Sequence, residues 1–212
     1  MAQRSEEWYR VRLGKLTGSN AAAILATIKT GEAAARRDYR MRLVCERLTG
    51  QPQEDGPTTD AMQRGIDMET HARAAYEAHT GQIVSECGFV SHDELPAGCS
   101  PDGYIGDWQG LVSFKCPKTA THVGYLSENR MPPAYVPQML AEMWLTGAQW
   151  YDFVSFDDRL PERLSLFSVR VKRNEAAIAD FEAKARTFLE EVQRDYASLL
   201  GFEIVKETAS AL

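Results

Sequence analysis

From Gly98 to Pro117 the chain reads Gly-Cys-Ser-Pro-Asp-Gly-Tyr-Ile-Gly-Asp-Trp-Gln-Gly-Leu-Val-Ser-Phe-Lys-Cys-Pro. Two short apolar arms are bracketed here by Gly, Asp and Pro, which predicts two strands joined by a turn around Gly106 to Gly110. Asp102 follows Pro101 on the first arm, and Lys115 sits inside the apolar run Leu111 to Cys116 on the second. A carboxylate and an ammonium on paired strands can face one cleft. There the acid can hold a divalent cation and the base can steer an attacking water.

The 212 residues fit one domain, 1–212, long enough to bury a core. No apolar run approaches the roughly 18 residues that cross a bilayer. The start, Met-Ala-Gln-Arg-Ser-Glu-Glu, lacks the apolar segment of a signal peptide, so a cytosolic protein with no membrane contact is expected. Cys45, Cys87, Cys99 and Cys116 form no CxxC pair and read as reduced, half-buried thiols. A formal net charge of −6 excludes a generally sticky nucleic-acid binder but leaves room for a local basic groove.

In chain order, Ser5 to Leu13 reads as a short helix capped by Ser5, with Trp8, Val11 and Leu13 as its buried side. Gly14 to Ser19 is a Gly-punctuated loop that runs into a helix expected over Asn20 to Ile28. Its N-terminal amides, with Thr17, Ser19 and a nearby arginine, can hold a phosphate; a plain cap with a solvated arginine explains the same residues. Ala33 to Leu48 has helical spacing and ends at Thr49-Gly50. Its arginines Arg36, Arg37, Arg40, Arg42 and Arg47 form either a solvated face or the flank of a DNA channel. Gln51 to Pro57 is a polar turn. Thr59 to Thr80 reads as a long helix closed by Gly81, on which Glu69 neighbours Met68, Ala72, Ala75 and Tyr76. Gln82 to His92 reads as a strand, Thr119 to Asn129 as helical or irregular, and Tyr135 to Leu145 as a helix starting near Pro137. Trp150 to Phe156 and Leu164 to Val171 alternate like antiparallel strands. Asn174 caps a last amphipathic helix to about Leu200, with Ile178, Phe181, Ala185, Phe188, Leu189 and Val192 inward. The order of elements is α/β.

Pro101-Asp102, a short gap, then Phe114-Lys115 resembles the PD-(D/E)xK nucleases. Cys-Ser-Pro-Asp-Gly followed by Gly-Leu and Lys-Cys-Pro is similar to the phage lambda exonuclease branch, the YqaJ-type viral recombinases. Trp8-Tyr9-x-x-Arg12-Leu13-Gly14 with Thr17-x-Ser19, and Tyr135-x-x-Gln138 with Met143-Trp144-x-Thr146, match further motifs of that branch in family order. The resemblance implies a restriction-endonuclease-like mixed sheet flanked by helices. It also implies a Mg²⁺-dependent 5′→3′ double-stranded DNA exonuclease of phage-type recombination, with Mn²⁺ able to substitute. The expected assembly is a homotrimer around linear duplex DNA, working with a single-strand annealing protein in a bacterial or phage-infected cytosol. Asp102, Glu69 and the backbone carbonyl of Phe114 would hold the metal, Lys115 would be the catalytic base, and Gln138 an auxiliary. Arg12, Ser19, Ser100 and Thr17 would form the 5′-phosphate pocket. Where the family has a further pocket arginine this chain has Thr121, with Lys118 or His122 as candidate replacements.

One position departs. The family has an acid two residues before the lysine, a metal ligand, and this chain has Ser113. A neutral hydroxyl there implies a loss of a few kcal/mol, on the order of 10²-fold in rate, so the chain reads as impaired. Three explanations compete: a variant made to trap a complex, a homologue that has lost cutting, or a nearby acid such as Asp107 or Glu142 standing in, although neither has the family spacing. A non-cutting DNA-end-binding protein on the same fold is the alternative, and an unrelated α/β domain is a third reading.

Overall fold

The computed structural model describes residues 5–53 and 59–202; the polar turn expected over Gln51 to Pro57 lies outside them beyond Gln53. The first described elements are α1 (Glu6–Arg12), β1 (Leu16–Thr17) and the single turn α2 (Ala21–Ile24). Ser5 caps α1 as expected, accepting from the Trp8 amide at 3.2 Å. Trp8, Val11 and Leu13 nevertheless stay half-exposed, and α1 buries none of its residues. Seven residues on the surface present no face wide enough to reach the core; Trp8 is taken up by Arg12 and Ser100 instead. The helix expected over Asn20 to Ile28 is likewise shorter, a single turn that ends at Ile24 with Leu25 as its C-cap.

Two long helices follow, α3 (Ala34–Thr49) and α4 (Asp60–Thr80). Gly50 closes α3 in the left-handed region, φ +64°, its amide donating to Glu46 O at 2.9 Å. The strand expected over Gln82 to His92 is reduced to a bridge at Ser85 and to β2 (Val90–Ser91). The apolar Ile83 is 80% exposed, while Val84 is buried. The segment contains Gly88 and alternates imperfectly, so most of it crosses the surface without a partner strand. β2 and β3 (Ala97–Cys99) are antiparallel, and β1 joins β3 in parallel, giving a small sheet β1-β3-β2.

The hairpin forms as expected from β4 (Gly103–Ile105) and β5 (Gly110–Lys115), with Gly103 opposite Val112 and Ile105 opposite Gly110. Gly110 lies against the Trp150 ring, where a Cβ would stand 2.2 Å away, so the turn must close on glycine. A crossover through α5 (Thr119–Glu128) and α6 (Val136–Thr146) returns the chain as β6 (Trp150–Phe156), parallel to β5. The four-residue helix α7 (Glu162–Ser165) then leads into β7 (Leu166–Lys172), antiparallel to β6. The main sheet is therefore β4-β5-β6-β7.

The last helix, α8 (Glu175–Leu200), starts where Asn174 Oδ1 accepts from the Ala177 amide at 3.1 Å. Its expected inward residues, Ile178, Phe181, Ala185, Phe188, Leu189 and Val192, are all buried. Five of them pack with Leu16, Tyr39, Leu43 and Val44. On the other side of the sheet α4 lays Ala72 and Tyr76 over Val112, Phe114 and Val154. The arginines of α3 are largely neutralised within the chain. Arg36 pairs with Glu32 and Glu191, and Arg40 with Glu32 and Asp195, which ties α3 to α8. Arg47 donates to Gly14 O, and Arg37 pairs with Asp38.

Two buried acids brace the sheet. Asp152 on β6 is chelated by Arg170 at 2.8 Å through both Nε and Nη2, and takes the Tyr76 hydroxyl at 2.5 Å, locking α4 onto the strands. Asp157 at the end of β6 is fully buried and accepts from Arg159 Nε at 2.7 Å and the Arg159 amide at 3.1 Å. Burial alone would raise its carboxyl, but bonds from Arg159 and Thr119 outweigh it and hold the group down to about 2. The folded value lies below the unfolded one, so this stabilisation is present above the ordinary carboxylate range and lost as pH falls through about 2. Asp157→Asn is expected to cost about 1–2 kcal/mol in urea unfolding at pH 7, with the difference from the parent shrinking steadily below pH 4; an unchanged midpoint at pH 7 would remove this role.

Candidate active site

The hairpin fixes an acid by its own backbone. Asp102 lies at the entry to β4, and its Oδ2 accepts the Phe114 amide at 2.8 Å and the Ser113 hydroxyl at 3.0 Å. Lys115, next along β5, brings Nζ to 3.9 Å of the same oxygen. Both side chains are about four-fifths covered, at 19% and 22% exposure, so their attraction is screened less than a surface pair's. Arg73 on α4 holds the loop from behind, donating to the Asp102 carbonyl at 3.2 Å and pairing with Glu86 at 2.7 Å. Lys115 Nζ also lies 5.5 Å from the Tyr135 ring centre.

Glu69 is half-buried on α4, one turn before Arg73. Its charge reaches the Cys116 thiol, as does that of Asp102; burial first and then these carboxylates push that thiol up to about 11. Gln138 lies on the first turn of α6 and donates from Nε2 to Glu142 Oε1 at 2.8 Å. Ser113 is buried on β5, and the Tyr151 phenol of β6 interacts with both Ser113 and Glu142. The structure thus brings Asp102, Ser113, Phe114 and Lys115 into direct contact and sets Glu69 and the Gln138–Glu142 pair around them.

Glu142 was the residue set aside on spacing. It lies 27 positions beyond Lys115 in sequence (142 − 115), yet α6 carries it into the neighbourhood of both Asp102 and Lys115. A signal was present in the chain: Glu142 stands four residues after Gln138, on the same helix face, as an acid inside the apolar run Met139 to Trp144. Asp107, the other candidate replacement, is exposed in the turn.

A second group gathers at Arg12. Its guanidinium stacks 3.8 Å from the Trp8 ring centre and 5.8 Å from that of Phe89. The Trp8 indole donates to Ser100 Oγ at 2.8 Å, which links this arginine to the strand end before Asp102. Arg12 is half-buried, no carboxylate among the described residues pairs with it, and burial lowers its affinity for the proton. Such a cation suits an anionic ligand. Ser19 is exposed nearby in a 3₁₀ turn. Thr17 is buried; its amide donates to Tyr39 Oη at 2.9 Å and its hydroxyl accepts from Asn20 at 2.9 Å, so it shapes the turn. His122 does not replace the missing pocket arginine. It is fully buried under the sheet, with Nδ1 2.7 Å from Ser155 Oγ and Nε2 2.9 Å from Leu164 O. Lys118 and Thr121 are exposed at the start of α5.

Among the described residues, no three His, Cys, Asp or Glu side chains form a ready-made metal cluster. The oxygen donors nonetheless fit a hard, hydrated cation, which needs few protein ligands. One Asp102 oxygen is committed to the hairpin, and the other makes no hydrogen bond among the described residues. Cys87 and Cys99, like Cys116, are kept protonated by burial and then by nearby acids, so sulfur does not compete with oxygen here.

The model of the YqaJ-like viral recombinase domain matches residues 7–149. The crystal structure of the alkaline exonuclease LHK-Exo from Laribacter hongkongensis, also solved in complex with dAMP, is 42% identical over 92% of this chain and 96% of that one, with a TM-score of 0.84. A phage-related exonuclease from Haemophilus somnus 129PT shares the fold, with a TM-score of 0.67, 16% identity, and coverage of 88% of this chain and 95% of that one. No curated protein matches. Fold and sequence agree, and the chain belongs to the YqaJ-like viral recombinase family.

Proposed function

We propose that the protein is a Mg²⁺-dependent exonuclease that resects the 5′-ended strand of linear duplex DNA to leave 3′ overhangs. The observation that carries this reading is the meeting of the Asp102 carboxylate and the Lys115 ammonium, 3.9 Å apart on one hairpin, in a chain of this family. Phosphodiester hydrolysis needs an activated water, a shield for charge on the phosphate and help for the leaving oxygen. Magnesium, or manganese in its place, supplies Lewis-acid polarisation and a more acidic bound water.

Asp102, the Phe114 carbonyl and Glu69 are the proposed holders of that ion. Lys115 orients the attacking water and balances charge that develops on the phosphoryl oxygens. Gln138 steadies the water side of the site from α6. Arg12, with Ser100 and Ser19, receives the 5′-phosphate that marks the end of the strand. The homotrimer, the annealing partner and a bacterial or phage-infected cytosol belong to this proposal by family likeness.

Ser113 favours one second reading, a protein that binds DNA ends without cutting them. A nuclease assay separates the two. On 5′-phosphorylated linear duplex with Mg²⁺, the parent chain should release mononucleotides, and Asp102→Asn should lower the rate by about 10³-fold or more. End-binding that persists in both proteins with no nucleotide release from the parent chain would select the second reading. Arg12→Ala is expected to raise KM about tenfold for 5′-phosphorylated ends and little for 5′-hydroxyl ends. Equal losses on both ends would place Arg12 outside a terminal-phosphate pocket.

A further inference from the structure

The acid missing from β5 is answered by an acid on α6. Glu142 is 1% exposed, and its two oxygens are treated unequally. Oε1 accepts from Gln138 at 2.8 Å, while the buried Oε2 has no hydrogen-bond partner among the described residues. A buried carboxylate oxygen left without a donor is destabilising, and such groups are rare unless they serve a ligand. The other buried acids do not share this fate: Asp152 and Asp157 are each held by an arginine.

The surroundings tie this carboxylate to the hairpin. Glu142 feels the charges of Asp102 and Lys115, and the Tyr151 phenol interacts with both Glu142 and Ser113. Gly18 forms the wall behind, where a Cβ would lie 3.1 Å from the Glu142 side chain. The position that held the acid in the family pattern and the acid present here are therefore linked through one tyrosine.

We infer that Glu142 is a carboxylate ligand for a divalent cation shared with Asp102, taking from the α6 helix the place that Ser113 leaves open on the β5 strand. The inference rests on the nuclease reading for its chemistry and reassigns one ligand within it. Asp102 contributes the oxygen not used by the hairpin, Glu142 contributes Oε2, and the Gln138 amide fixes the carboxylate plane. In this arrangement Ser113 is a spacer that braces Asp102, and the chain is not impaired by it.

The test uses the full chain without DNA. Mn²⁺ binding is followed by calorimetry and by the loss of the free-ion EPR signal for the parent, Glu142→Gln, Asp102→Asn and the double variant Ser113→Glu/Glu142→Gln. Glu142→Gln is expected to weaken Mn²⁺ binding by roughly 100-fold, as Asp102→Asn does, while melting no lower than the parent because a buried charge is gone. The double variant, with the acid returned to the strand, should regain Mn²⁺ binding within about tenfold of the parent, together with nucleotide release. Undiminished Mn²⁺ binding by Glu142→Gln overturns the assignment and leaves the nuclease reading standing if the parent still degrades DNA. A parent that neither binds Mn²⁺ nor releases nucleotides overturns both.

Discussion

A single carboxylate oxygen organises this molecule. Oδ2 of Asp102 takes the Phe114 amide and the Ser113 hydroxyl, so the first arm of the hairpin is fastened to the second at its open end. The other end is fastened by the turn at Gly106, φ +62°, and by Gly110 lying flat under Trp150. Pairing of β5 with β6 then fixes which residues face α6 and which face α4. Lys115 reaches the same oxygen only because this register is held.

Three acids are buried around that frame, and their partners tell them apart. Asp152 and Asp157 are neutralised by arginines that close on them from the neighbouring strand or from the following turn. Removing either arginine would leave an uncompensated charge, which marks these pairs as structural bracing. Glu142 has an amide on one oxygen and the Tyr151 phenol beside it, no arginine holds it among the described residues, and it feels both Asp102 and Lys115. Folds rarely keep such an arrangement for stability alone, and perturbed acids in clefts concentrate where ligands bind.

Much of this was legible in the chain. The hairpin, α3, α4, the β6–β7 pair and α8 follow from apolar periodicity and from Gly50, Gly110 and Asn174 at their ends. Shorter pieces failed for a shared physical reason. The segment Gln82 to His92 and the turn at Ala21 take their shape from what they pack on, and local pattern carries little of that. In the site, Asp102 and Lys115 were readable because strand pairing couples residues close in sequence. Glu142 could be named from the chain but not placed, because its position depends on the length of the crossover through α5 and on the rotation of α6. Spacing rules describe neighbours along one element and say nothing of a helix returning from elsewhere.

The mutual neutralisation of α3 and α8 bears on how such a chain would handle a polyanion. Arg36 and Arg40 spend their charge on Glu32, Glu191 and Asp195, so little positive potential is left along that face. The net charge is −6, and Arg12 pairs with no carboxylate among the described residues. A protein that touches few phosphates displaces few condensed counterions, and the logarithm of its affinity for duplex falls only gently with the logarithm of ionic strength. On the proposed reading, grip comes from the chemistry of the terminus itself and not from the field of the whole helix.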